Sequence, residues 1–247
     1  MSFLFFGNCQ LEMIARALSA RNPSAEIIYR GNSSRARNHD PAGADQAMAA
    51  ADRIVSQPIL NANHPEHHTT LRARLGARLL FLPYLWLDGL FSLVEARQPP
   101  DRRIIGAQVI RKALAAQSRD DILARFAAGE IAFDHASRLR RSLAELTRRE
   151  SFCDIGATDI LRAGLRERPL MVTHNHPAAE VTLQLARRLA PKLGLLPPDP
   201  DQSDGLHLPV ATRVLSPQTT RDLGLTFPPD PDWLAQGTAL IDRIAKA

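Results

Sequence analysis

Residues 3–10, Phe3-Leu4-Phe5-Phe6-Gly7-Asn8-Cys9-Gln10, decide how the chain reads. Four consecutive large apolar residues are too few for a buried helix and enough for a strand covered on both faces. Gly7 and Asn8 break the run, and asparagine is a preferred helix N-cap. Leu11, Ile14, Ala15 and Leu18 then recur at i, i+3, i+4 and i+7, one face of a helix. Residues 26–30 follow as a second strand. Strand, turn, helix and strand in that order open a parallel α/β sheet.

The rest of the chain extends this beginning. A short helix is expected over 44–51, a third strand over 52–56 stopped by Pro58, and a polar loop rich in Asn and His over 61–70. A fourth strand covers 78–82 and ends at Pro83. Residues 104–116, 119–128 and 136–150 carry helical periodicity and make an extra helical middle region; in the last, Leu139, Leu143 and Leu146 share a face. Residues 169–173 read as a short strand. His174-Asn175-His176-Pro177 comes next, then a helix over 178–190, with Pro177 in the first turn where its missing N–H costs nothing. Eight of the 18 prolines lie between Pro197 and Pro231, an ordered loop or lid ahead of a last helix over 232–245. The expectation is one α/β domain over 1–247, a parallel sheet covered by helices in a flavodoxin-like or SGNH-like layout.

Composition narrows the function. With 247 residues, 45% hydrophobic and 23% charged, the chain has the balance of a folded globular protein. Its 31 basic and 26 acidic residues give +5, and only Lys112, Lys192 and Lys246 are lysines. Arginine forks suit phosphate and carboxylate, so an anionic ligand is one reading and a general preference for arginine the other. Aromatic residues at 5% argue against a base-stacking nucleic-acid platform.

Two cysteines make no disulfide framework, which fits a reducing, cytoplasmic setting. The first residues lack the basic stretch and apolar length of a signal peptide. The most hydrophobic stretch, 75–94, is interrupted by Arg78, Pro83 and Asp88, so no transmembrane segment is expected. Phe81, Tyr84, Leu85 and Trp86 read as core, with peripheral membrane contact the alternative.

Cys9 is the sharpest chemical feature. At the start of a helix, unpaired backbone amides and the helix dipole favour an anion, so a thiol there is expected to be a ready nucleophile. The same amides can hold an oxyanion or a phosphate, with Asn8 and Gln10 flanking them. The bland alternative is a cysteine filling space at a strand end. His174 and His176 stand at the mouth of a helix; His176, directly before Pro177, is held extended and suits a positioned base. Cys153 lacks such a context and reads as structural. His64, His67 and His68 lie in a loop with no Cys-rich partner and no His-Glu-x-x-His pattern, so no metal is expected. Nucleotide-binding glycine loops and a Gly-x-Ser-x-Gly elbow are absent from the sequence.

Phe6-Gly7-Asn8-Cys9-Gln10, Val55-Ser56-Gln57-Pro58-Ile59, Leu82-Pro83-Tyr84 and Thr173-His174-Asn175-His176-Pro177, in that order, resemble the WcbI family of polysaccharide-biosynthesis proteins. The resemblance runs over roughly residues 3–195 and rests on Gly-Asn-Cys-Gln and Asn-His-Pro together. It implies an α/β fold and acyl transfer from acetyl-CoA to a hydroxyl of a capsular or surface sugar. By motif, Cys9 and His176 fall at the family's cysteine and histidine, with Asn8 and Gln10 as catalytic neighbours. Gly7, Gln57, His174, Arg30 and Arg35 are the expected coenzyme A contacts, and Arg37, Arg138 and Arg141 are further candidates for its phosphates. Two alternatives remain: a carbohydrate esterase or deacetylase of SGNH-like layout, and a non-enzymatic basic module that binds glycans.

Overall fold

The computed structural model describes residues 1–32, 41–94, 105–202, 206 and 213–246. β1 (Ser2–Gly7) leads into α1 (Cys9–Arg21) and β2 (Glu26–Gly31), followed by α2 (Pro41–Ala50), β3 (Arg53–Ser56), α3 (His68–Leu75) and β4 (Leu79–Phe81). These four strands form one parallel sheet in the order β2-β1-β3-β4. The chain steps from β1 to one side, then crosses back to the other. In an open α/β sheet that reversal opens a ligand crevice at the carboxyl ends of the strands. Asn8 follows the carboxyl end of β1 and Cys9 opens α1 at that edge.

Alternation along β1 sorts its side chains between two layers. Leu4 and Phe6 pack with Ala44 and Met48 of α2, Ile54 of β3, Leu71 and Leu75 of α3, and Phe81 of β4. Phe3 and Phe5 are buried on the opposite face, where a right-handed crossover carries α1. Each such fully buried side chain stabilises by roughly 1.5–3 kcal/mol relative to exposure.

After β4 come β5 (Leu93–Val94), α4 (Ile105–Leu114), α5 (Arg119–Ala128), α6 (His135–Glu150), α7 (Thr158–Gly164), β6 (Met171–Thr173), β7 (His176–Pro177), α8 (Ala179–Leu193), β8 (Arg213–Val214), α9 (Pro217–Leu223) and α10 (Trp233–Ala245). By their contacts the residues fall into two compact units. The first gathers Met1–Leu85, Leu146–Arg162 and Pro177–Leu208; the second gathers Trp86–Glu145, Ala163–His176 and Pro209–Ala247. In the second, β5 pairs antiparallel with β8, and Ile110, Ile122, Phe126, Phe133 and Ile241 are at its core. Gly237 in α10 lies where the Phe126 ring comes too close for any side chain.

Three short helices depart from the sequence reading. α3 begins at His68, inside the segment expected as loop, because Leu71 and Leu75 bury one turn apart. α7 follows Glu150, whose carboxylate accepts the Ala157 and Thr158 amides. The stretch 197–231 is not loop or lid throughout, since it carries β8 and α9. Ser216 caps α9 by accepting the Thr219 N–H, with Pro217 in its first turn. Among the described residues no helix is long and apolar enough to cross a membrane. Phe81 and Leu85 are buried, which removes both from any membrane contact.

Candidate functional site

The turn after β1 is held from several sides. Asn8 is the N-cap of α1, its Oδ1 accepting the Gln10 N–H at 2.9 Å. The Asn8 carbonyl accepts the Leu11 and Glu12 amides at 3.0 and 3.3 Å. From β3, Gln57 Oε1 accepts the Asn8 N–H at 3.2 Å and Gln57 Nε2 donates to Gln10 Oε1 at 3.3 Å. Gln10 in turn bonds the Leu85 backbone through both ends of its carboxamide. Gln10 and Gln57 are 4% and 5% exposed, so these bonds lie away from competing water.

Gly7 is required by close approach. A Cβ there would meet the Leu11 side chain at 2.5 Å and Gln57 Oε1 at 3.0 Å. The amides of Asn8, Gln10, Leu11 and Glu12 all bond within the protein. An oxyanion or phosphate at these amides would therefore have to displace the cap or the Gln57 carboxamide.

Cys9 is half-buried and forms no disulfide. Tyr29 is a neighbour the sequence reading did not single out. Its hydroxyl donates to the Gly7 carbonyl at 3.2 Å. Burial, with the nearby Glu12 carboxylate and Cys9, raises its pKa, so the phenol stays protonated as a donor. The β1–β2 register brings Tyr29 opposite Phe5 and Arg30 opposite Phe6. Arg30 thus stands at the carboxyl edge, and its buried Nε has no hydrogen-bond partner. Arg35 and Arg37 lie outside the described residues.

The histidine motif ends β6. His176 Nδ1 lies 2.9 Å from Thr173 Oγ1, and that hydroxyl donates to Asn175 Oδ1 at 3.1 Å. Thr173 and Asn175 thus hold the imidazole by its Nδ1 side and orient the ring. His174 differs: its ring packs edge-on against Trp86 with centroids 4.2 Å apart, and its carbonyl accepts the Leu87 N–H at 2.6 Å. Cys9 belongs to the first unit and both histidines to the second.

Other candidates take structural places. Arg138 is 2% exposed, paired with Asp88 and donating to the Phe133 carbonyl at 2.9 Å, which leaves it no access to a phosphate. Cys153 packs against the sheet core, and burial pushes its thiol up to about 12. His64, His67 and His68 bond locally to the Glu66 amide, the Thr69 hydroxyl and the Ile59 carbonyl. No group of three or more potential metal ligands gathers among the described residues.

Fold and site together define a parallel α/β protein whose braced, cysteine-bearing turn lies at the carboxyl edge of its sheet. Residues 2–198 match the family model of the polysaccharide biosynthesis enzyme WcbI. The chain belongs to that family and is a polysaccharide-biosynthesis enzyme. A solved structure of WcbI superposes with a TM-score of 0.61 at 18% identity, covering 99% of this chain and 94% of the other. It is described as the native protein without a disulfide bond between coenzyme A and one of its cysteines. This likeness shows the fold. No curated protein matches the chain.

Proposed function

We propose that the chain is a cytoplasmic, coenzyme A-dependent O-acetyltransferase acting on a sugar of a surface or capsular polysaccharide. The observation that carries this reading is Cys9 at the carboxyl edge of the sheet, in a family with a relative described as the native form without a disulfide bond between coenzyme A and a cysteine. Arg30 supports it, because a buried guanidinium nitrogen without an acceptor suits an anionic ligand. Arg30, Gly7 and Gln57 would line the donor's site, with His174 and Arg35 as further contacts. Acetyl-CoA supplies an activated acetyl group as a thioester.

In this mechanism His176 Nε2 takes the Cys9 thiol proton, and Cys9 Sγ bonds to the acetyl carbon as the donor's sulfur departs with a proton. His176 then takes the proton of the sugar hydroxyl, the sugar oxygen bonds to the acetyl carbon, and the Cys9 thiol is restored. Thr173 and Asn175 orient the imidazole through Nδ1. Asn8 orders the turn and supplies its side chain near the developing negative charge. Gln10 fixes the turn's position rather than meeting the substrate.

Calorimetry with coenzyme A and acetyl-CoA tests the reading directly. Binding is expected, with a rise in thermal midpoint from selective stabilisation of the native state, and wild type with acetyl-CoA alone gains one acetyl mass on the Cys9 peptide. Absence of binding at millimolar ligand removes acyl transfer. Release of acetate from an acetylated sugar without coenzyme A would select the esterase alternative. Salt-dependent polyanion binding that ignores Cys9 substitution would select the glycan-binding module.

A further inference from the structure

Within the first unit, α1 and α8 pack side by side with their carboxyl ends together. Asn22, the C-cap of α1, donates to the Leu196 carbonyl at 3.0 Å and accepts the Leu196 N–H at 2.9 Å. Leu196 lies two residues beyond Gly194, the C-cap of α8. The helices pack against each other and share their carboxyl ends, and the chain after α8 returns past Arg21 and then Ala17 of α1, so they run parallel and α8 begins towards the edge of the sheet where α1 and Cys9 begin.

The chain after α8 doubles back. Arg21 pairs with Asp199, Gln202 reaches the Ala17 carbonyl, and Arg187 Nε donates to the Pro198 carbonyl at 3.1 Å. Between this returning segment and the first half of α8 lies an open groove of about 640 Å3, within the ~300–1,000 Å3 that holds small ligands. It follows α8 from Ala179 to Arg187, about 12 Å at 1.5 Å per residue. Ala179 and Leu183 form an apolar floor, while Glu180, Gln184 and Asp201 make a polar rim. Gln184 Nε2 donates to Glu180 Oε1 at 3.1 Å, which orders the pair in advance.

We infer that this groove is the subsite for the neutral sugar acceptor, an inference that rests on the acyl-transfer reading. Its charge decides against the anionic donor: Glu180 and Asp201 are acidic, and the Arg187 guanidinium is tied to a backbone carbonyl. Carboxylate and amide oxygens accept from sugar hydroxyls, and an apolar floor suits the C–H face of a pyranose. The groove starts at the edge that carries Cys9, so a sugar in it presents one end to the thiol's side of the sheet.

Saturation-transfer NMR with the methyl glycosides of glucose, galactose, mannose and rhamnose tests the groove. At least one should receive saturation from wild type, and Gln184→Trp, which fills the groove, should weaken that signal at least tenfold. Glu180→Lys, which reverses the rim charge without adding bulk to the floor, should do the same and serves if the tryptophan variant does not fold. Silence from all four glycosides, or a signal unchanged in both variants, overturns the inference. Thermal shifts with coenzyme A on the same samples separate the two claims. A shift with silent glycosides removes the groove alone; glycoside binding without a coenzyme A response removes acyl transfer alone.

Discussion

The carboxamide of Gln10 bonds both backbone groups of Leu85, donating to its carbonyl at 2.9 Å and accepting its N–H at 3.0 Å. One residue beyond Cys9, the chain is thereby anchored to the segment that leaves β4. Gln10→Leu keeps the volume and strands two buried backbone groups together with Gln57. The expected loss is about 2–3 kcal/mol in urea unfolding, since each stranded group carries its own desolvation penalty. A loss near zero would mean that water reaches this turn.

Arg138 and Asp88 form a second prediction. The guanidinium is almost fully buried and its partner carboxylate is 14% exposed. Arg138→Met alone should cost about 3–5 kcal/mol, because it leaves a buried charge unmatched. The double variant Asp88→Leu, Arg138→Met should recover a large part of that loss. Equal instability of single and double variants would show that the pair's geometry, rather than its charge balance, is what the second unit needs.

His135 predicts a pH dependence. It donates from Nδ1 to the Gly89 carbonyl at 2.7 Å, with Nε2 facing the Ser92 and Thr219 hydroxyls. Burial lowers its pKa, opposed by the Gly89 bond and the Asp222 and Asp88 charges and reinforced by Arg138. Above the unfolded value of about 6.5 the ring is neutral in both states and its contribution is complete. As pH falls below that value the unfolded chain takes up a proton that the folded chain resists, so stability declines. Urea midpoints at neutral and mildly acidic pH should differ, and His135→Asn, which can still donate to Gly89, should flatten the difference. An unchanged slope would assign the effect to other groups.

The two thiols should differ in reactivity. With Cys153 pushed up to about 12 by burial beside Glu150 and Asp154, its thiolate fraction at pH 8 is about one part in ten thousand. Iodoacetamide followed by peptide mass mapping should find Cys9 labelled well before Cys153. The reverse order would contradict the burial of the second thiol.

Legibility in the sequence followed the length and regularity of each element. The four strands could be read because buried parallel strands are short apolar runs between polar breaks. α1 could be read because four apolar residues recur on one face. α7 and α9 have seven residues each and α3 eight, too few turns for a period to show. For α9 the start signal Ser216-Pro217 was present, hidden among prolines that suggested loop. Cys9, Asn8, Gln57 and His176 stood out by motif. The hydroxyls that orient them did not, because Tyr29 reaches Gly7 through strand register and Thr173 meets His176 across a tight turn.

The shared direction of α1 and α8 brings two helix N-termini to one edge of the sheet. Each end carries about half an elementary charge, and each has a glutamate in its first turn, Glu12 and Glu180. Glu12 is paired with Arg16 at 2.7 Å and Glu180 accepts from Gln184, while Arg30 stands at the same edge opposite Phe6. Arginine keeps its charge over the whole working range of pH. Under the proposed acyl transfer, capture of the anionic donor at Arg30 should therefore be nearly flat with pH.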